Sequence, residues 1–226
     1  APWASLVAAN GGLYLSESNE TDSVYYTTFV RESGEIVRLD SIAWPRGEPH
    51  DFGGSMKGSA FGQDSVIFYR FDQGAPRDSM FQYYFASGTD GTVSDRVLTM
   101  EIPAAGDGTY IKSIEVSDGR LVGYAKHDYS ESDLFFFTID PVSQAVAFSD
   151  TLQRDIAEAT WTDDGSALVA NQAYAWLICE HGKDLNLLRL SLDDPHNNWQ
   201  LDTIGYTTEH FSTPTLILDN AGLLLY

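Results

Sequence analysis

Residues 110–140 read YIKSIEVSDGRLVGYAKHDYSESDLFFFTID. The stretch holds three apolar runs, and a tight turn, Ser117-Asp118-Gly119, separates the first two. Asp and Gly tolerate the positive φ that a short hairpin turn demands. Asp133 then opens a third run rich in aromatics, Leu134-Phe135-Phe136-Phe137. Aromatic and β-branched residues favour a pleated, half-buried surface, so the stretch predicts three antiparallel strands in series.

Working outward, the same arrangement recurs. Equivalent turns fall at Ala9-Asn10-Gly11-Gly12, Gly62-Gln63-Asp64, Asp163-Asp164-Gly165 and Asp219-Asn220-Ala221-Gly222. Asp22, Asp78 and Asp184 stand at the head of third runs as Asp133 does. A repeat of about 50 to 56 residues built of four short strands is the mark of a β-propeller blade. The expected fold class is therefore all-β, a β-propeller of four-stranded antiparallel blades, with about four and a half blades in this chain. The predicted blades span approximately 3–44, 55–103, 110–152 and 156–205, with a half-blade at 213–226. Together, 1–226 reads as a single propeller domain or as part of one. In the fourth blade, Asp155-Ile156-Ala157-Glu158-Ala159 reads as the innermost strand, leading into the turn at Asp163-Asp164-Gly165.

Two segments carry a family likeness. They are Trp161-Thr162-Asp163-Asp164-Gly165-Ser166-Ala167-Leu168 with Asp184-Leu185, and Asp133-Leu134-Phe135-Phe136 through Asp140-Pro141. They resemble the TolB-type, WD40-like propeller repeats. That family shows an apolar or aromatic residue, a polar-Asp-Gly turn, an apolar strand, and an Asp before an aromatic-rich third strand. The first two blades depart from it, with Asn10-Gly11-Gly12 and Gln63-Asp64 in place of Asp-Gly. The resemblance implies a fold and brings no catalytic residues with it.

A half-blade leaves backbone groups unpaired along one strand edge. The expectation is that a partner chain or a downstream segment completes the last blade, the chain being a piece of a larger propeller. A five-bladed ring ending in a bare hairpin is the alternative.

Hydrophobic residues are 43% of the 226, enough for a sizeable core. Net charge is −20, from 13 Lys+Arg against 33 Asp+Glu. Such a polyanion repels nucleic acid and anionic lipid, which excludes both as expected partners. Its field attracts cations and basic proteins. Cys179 is the one cysteine, so no intrachain disulfide forms, and its apolar setting reads as a buried, inert thiol. No apolar run approaches the roughly 20 residues that span a bilayer, so no membrane insertion is expected. The start at Ala1-Pro2-Trp3, without Met, suits a processed mature end, and Asn19-Glu20-Thr21 is a sequon. Both favour an extracellular, periplasmic or lumenal location.

Strand phase decides which loops share an end of the blades. The loop after each second strand and the loop between blades fall at one end. That end collects the candidate binding residues His50, Asp51, Arg77, His127, Asp128, His181, Glu209 and His210, with Asp72, Glu131 and Glu180 beside them. Imidazole and carboxylate groups ligate metals, yet no His-x-x-x-His spacing occurs. No metal site and no cofactor is assigned, a loosely bound divalent cation being the residual option. Residues 128–133 alternate oxygen ligands but lack the central Gly and final Glu of a calcium loop.

Glycoside hydrolysis needs two carboxylates across a sugar bond, and Asp51, Glu115, Asp155, Glu158 and Glu209 are the candidates. There is no Gly-x-Ser-x-Gly elbow and no phosphate-cradling loop. The sequence therefore leans away from catalysis. It points to a binding or scaffold module whose loop face docks a protein or a carbohydrate. The alternative is a propeller-fold glycoside hydrolase, or the propeller portion of a larger hydrolase or sensor.

Overall fold

The computed structural model describes residues 4–9, 11–19, 24–43, 56–71, 80–89, 91–94, 97–101, 109–127, 134–148, 168–181, 184–193, 199–206, 216–219 and 222–225. Every regular element among them is a β-strand. No helix among them is long and apolar enough to cross a membrane. The chain divides into two compact units, Ala1–Ile102 and Pro103–Tyr226.

The first unit holds two sheets. Strands β1 (Ala4–Ala9), β2 (Gly12–Asn19), β3 (Val24–Arg31) and β4 (Ile36–Ala43) pair antiparallel in chain order. Strands β5 (Lys57–Phe61), β6 (Ser65–Phe71), β7 (Met80–Ala86) and β8 (Leu98–Glu101) repeat the pattern. The two first strands, β1 and β5, lie against each other.

The second unit continues the series. Its first sheet is β9 (Thr109–Ser117), β10 (Arg120–His127), β11 (Leu134–Asp140) and β12 (Ala145–Phe148). Its second is β13 (Leu168–Ala170), β14 (Tyr174–His181), β15 (Asp184–Ser191) and β16 (Trp199–Tyr206). A hairpin follows, β17 (Leu216–Asp219) with β18 (Gly222–Leu225). Strand β13 lies beside both β9 and β17, so the first strands of successive sheets are neighbours. Four-stranded meanders stacked through their first strands are β-propeller blades. The fold is all-β, of the propeller kind.

Local chemistry explains the turns. In the β9–β10 hairpin both central residues sit at positive φ, Asp118 at 47° and Gly119 at 74°. That pair of angles matches the right-handed twist of the flanking strands, and Asp-Gly adopts it at little cost. Beyond β11, the Asp140 carboxylate accepts hydrogen bonds from the Ser143 hydroxyl and from the Val142 and Ser143 amides. Those bonds hold the turn and lower the carboxyl's pKa, the Ser143 hydroxyl contributing most.

The third strands begin at Val24, Met80, Leu134 and Asp184. Asp184 is thus the first residue of its third strand, as expected, while Asp22, Asp78 and Asp133 lie outside the described residues. In the fourth sheet the first described strand is Leu168–Ala170, and the turn into the second strand is Asn171-Gln172-Ala173. The expected inner strand at Asp155-Ile156-Ala157-Glu158-Ala159 and the expected turn at Asp163-Asp164-Gly165 lie outside the described residues, as do all of residues 149–167. The Asn171 side chain makes the turn, its Oδ1 accepting from the Ala173 and Tyr174 amides at 2.9 and 2.8 Å. An Asn side chain can stand in for a backbone turn without any glycine.

Each unit buries its core between blades. In the first, Val7, Tyr14, Tyr25 and Phe29 of one sheet meet Val66, Phe68, Tyr84 and Ala86 of the next. In the second, Val122, Tyr124 and Phe136 meet Leu168, Leu177, Leu188 and Leu190, with Leu216 of the hairpin joining them. Each fully buried aliphatic or aromatic side chain of this kind contributes on the order of 1.5–3 kcal/mol.

Candidate functional site

Two of the expected loop-face residues lie on described strands. His127 ends β10 and His181 ends β14. Both are the last residue of a second strand, so the backbone brings them to the same end of two consecutive blades. Asp184 pairs with His181 across the β14–β15 turn. His50, Asp51, Arg77, Asp128, Glu209 and His210 lie outside the described residues, as do Asp72 and Glu131. Glu115 is half-buried on the innermost strand β9, paired with Val122. Asp155 and Glu158 lie outside the described set. Among the described residues no three His, Cys, Asp or Glu side chains converge as a metal site would require.

At the end of the first unit formed by the β1–β2 and β3–β4 turns is a shallow cleft of about 400 Å³. The β1–β2 turn supplies Gly11, the β3–β4 turn Glu32 and Ser33, and the loop after β7 Gly88 and Thr89. Its floor is tightly built. The Gly88 amide donates to the Tyr14 hydroxyl at 2.7 Å, and the Tyr14 and Phe29 rings pack at 4.6 Å between centroids. At the rim, Arg31 and Glu35 form an exposed 3.0 Å ion pair. Exposed pairs of this sort contribute little to stability.

A second feature, unforeseen from the sequence, lies on the sheet of the fourth blade. Tyr174 and Trp176, two residues apart on β14, project from one face with ring centroids 5.7 Å apart. The Arg189 guanidinium of β15 lies 5.0 Å from the Tyr174 centroid. Arg189 Nη2 donates to Gln200 Oε1 at 2.6 Å, and Gln200 Nε2 donates to Asp202 Oδ1 at 2.9 Å. Register makes the strip inevitable: Trp176 pairs with Arg189, and Arg189 with Gln200. Tyr174, Gln200 and Asp202 are exposed, whereas Trp176 and Arg189 are half-buried. The signal legible in the sequence was the alternation Tyr174-Ala175-Trp176-Leu177, in which one parity is core and the other aromatic.

No known family model matches this chain, and no curated protein matches it either. Solved structures do share its fold. One, from Lactobacillus plantarum, aligns with a TM-score of 0.54 at 12% identity, over 99% of this chain and 63% of that one. A 6-phosphogluconolactonase-like protein from Bacteroides uniformis aligns with a TM-score of 0.51 at 16% identity, over 98% and 63%. An exo-β-1,3-galactanase from Clostridium thermocellum aligns with a TM-score of 0.47 at 12% identity, over 98% and 53%. The first two show the propeller fold and nothing finer. This chain spans less than two thirds of the length of each of the three structures.

Proposed function

We propose that this chain is a non-catalytic binding module that docks a carbohydrate or protein partner. The observation that carries the reading is the Tyr174–Trp176–Arg189–Gln200–Asp202 strip. Aromatic faces offer flat apolar area at low entropic cost, and a half-exposed ring pair stacks well on the C–H face of a sugar or on an apolar side chain. The Arg–Gln–Asp ladder sets planar donors and acceptors in one row beside the rings, where hydroxyl or amide groups of a partner can be read. The ladder is already ordered by its own hydrogen bonds, so less freedom is lost on binding. The end of the blades that carries His127 and His181 is the second surface available to the same partner.

An array of immobilised glycans and of basic peptides tests the reading. Binding to one class that falls at least tenfold in Trp176→Ala, with the fold intact by circular dichroism, is the expected outcome. Equal binding by wild type and Trp176→Ala sinks the strip as the site. One observation favours a second reading, a propeller-fold glycoside hydrolase: Glu115 is a carboxylate on an innermost strand, where such enzymes hold their acids.

A further inference from the structure

The strip on the fourth blade carries one charge of each sign, and together they disfavour a charged ligand of either sign. The Arg189 guanidinium lies 5.0 Å from the Tyr174 centroid and donates through Nη2 to Gln200 Oε1 at 2.6 Å. A ligand cation seated on the same rings meets that guanidinium and is repelled at short range. A ligand anion meets the opposite obstacle. Asp202 is exposed at the far end of the strip, and the whole chain carries a net charge of −20. The polar atoms that remain form a complementary pair. Gln200 Nε2 gives one hydrogen to Asp202 Oδ1 at 2.9 Å. Among the described residues, its second hydrogen and the Asp202 Oδ2 atom make no other hydrogen bond. One donor and one acceptor therefore lie side by side on β16. The Tyr174 and Trp176 rings are inclined at 52°, so they form an angled seat rather than a flat platform.

We infer that the ligand of this strip is an uncharged glycan, a short oligosaccharide lying across the strands from the aromatic rings to Gln200 and Asp202. The inference rests on the strip being the binding site and narrows what it takes. A sugar hydroxyl both donates and accepts, so two neighbouring hydroxyls satisfy the Gln200 hydrogen and Asp202 Oδ2 at once. The C–H face of a sugar ring lies on Tyr174 and Trp176. Arg189, between them, has N–H groups beyond the one given to Gln200, and these meet sugar oxygens with no charge required of the ligand. Size separates a glycan from a protein. The row Trp176–Arg189–Gln200 crosses three strands, and Tyr174 and Asp202 lie on opposite sides of it. Strand spacing and rise make that footprint about 10 Å by 13 Å, a small part of the roughly 800 Å² that a stable protein interface covers on each partner. An uncharged ligand gains nothing from long-range attraction, so salt leaves its affinity nearly unchanged.

Calorimetric titration of the full chain, at low and high salt, tests the inference. The probes are neutral tetrasaccharides of glucose, galactose and mannose, the uronate and amino-sugar counterpart of each, and an oligolysine peptide. At least one neutral probe is expected to bind, with its two charged counterparts roughly tenfold weaker and its own affinity the same within about twofold at both salt levels. Trp176→Ala abolishes that binding. Gln200→Ala, at an exposed position that leaves the core untouched, weakens it by roughly tenfold. Asp202→Asn keeps an acceptor and loses the charge, so it narrows the gap between the neutral probe and its uronate counterpart. A uronate, an amino sugar or the peptide binding more tightly than every neutral probe, and lost in Trp176→Ala, keeps the strip as a binding site and overturns the uncharged-glycan inference. Neutral binding that survives both Trp176→Ala and Gln200→Ala contradicts the strip itself. Failure of every neutral probe to bind overturns the inference.

Discussion

The Tyr84 hydroxyl of β7 donates a 2.6 Å hydrogen bond to the Ser16 hydroxyl of β2, joining the two blades of the first unit through fully buried polar atoms. Thr27 of β3 completes the chain at 3.0 Å from the same oxygen. The Tyr84 ring stacks on Tyr25 at 5.8 Å, and the Arg70 guanidinium lies over the far ring, 5.5 Å from the Tyr25 centroid. Arg70 in turn donates twice to Gln82, through Nε at 3.0 Å and Nη2 at 2.8 Å. Polar groups buried in this way fix how one blade seats on the next, because any slip leaves them unsatisfied.

Tyr84→Phe removes the shared oxygen and strands two buried hydroxyls. Stability falls by about 1–3 kcal/mol, the usual cost of leaving a buried donor or acceptor unmade. Urea unfolding of Tyr84→Phe, Ser16→Ala and the double variant measures it. A cycle with strictly additive losses contradicts the direct bond.

The same tyrosines make the first unit sensitive to alkali. Burial raises the pKa of Tyr25 from 10.0 to about 12, with Arg70 opposing and Tyr84 adding to the rise. Burial likewise raises Tyr84 to about 12 against the lowering effect of its Ser16 and Thr27 hydrogen bonds. Below pH 10 both folded and unfolded chains hold the phenolic proton, and the stabilisation is whole. Between pH 10 and 12 only the folded chain still holds it, so stability falls as pH rises, by about 1.4 kcal/mol per group for each pH unit. Denaturation midpoints flat from pH 7 to 9 and dropping above 10, with late tyrosinate absorbance, are the expected record. Early titration of every tyrosine contradicts it.

Gly88→Ala and Gly11→Ala separate crowding from backbone strain. A Cβ on Gly88 would lie 2.7 Å from both the Phe29 ring and the Tyr14 hydroxyl. Overpacking of that kind costs about 1–3 kcal/mol. Gly11 has open space around it but a φ of +76°. Its replacement costs about 1–2 kcal/mol through conformation alone. Asn at position 11, which tolerates that φ, recovers most of the loss, whereas Ser at position 88 recovers none. Thermal unfolding of the four variants gives the comparison.

Asn171→Ala removes the two hydrogen bonds that build the β13–β14 turn and lowers stability by about 1 kcal/mol. Asn171→Asp, which still accepts both, holds near wild type. Equal loss in both variants would show that the side chain does not make the turn.

That turn is also hidden in the sequence, since Asn171-Gln172-Ala173 carries no glycine and works through a side-chain acceptor. The other blades are legible because their turns use backbone angles that Gly and Asp announce. The Ser16–Tyr84–Thr27 chain is illegible for a different reason. Alternating Ser and Thr in Leu15-Ser16-Glu17-Ser18 and Tyr26-Thr27-Thr28 imitates a solvated face, and only the packing of a second blade reveals them as buried. Of the candidate site, His127 and His181 each end a second strand, and His50, Asp51, Arg77, Asp128, Glu209 and His210 lie outside the described residues. The Trp176–Arg189–Gln200 strip depends on the register of three strands, which composition does not disclose.

Binding and turnover can be told apart in one assay. The wild-type chain is incubated with a panel of soluble β-linked oligosaccharides, and retention on the protein and release of reducing sugar are followed together. The account predicts that no sugar is released and that any oligosaccharide retained by the wild type is lost in Trp176→Ala. Release of reducing sugar that survives Trp176→Ala and vanishes in Glu115→Gln would contradict it and establish a hydrolase.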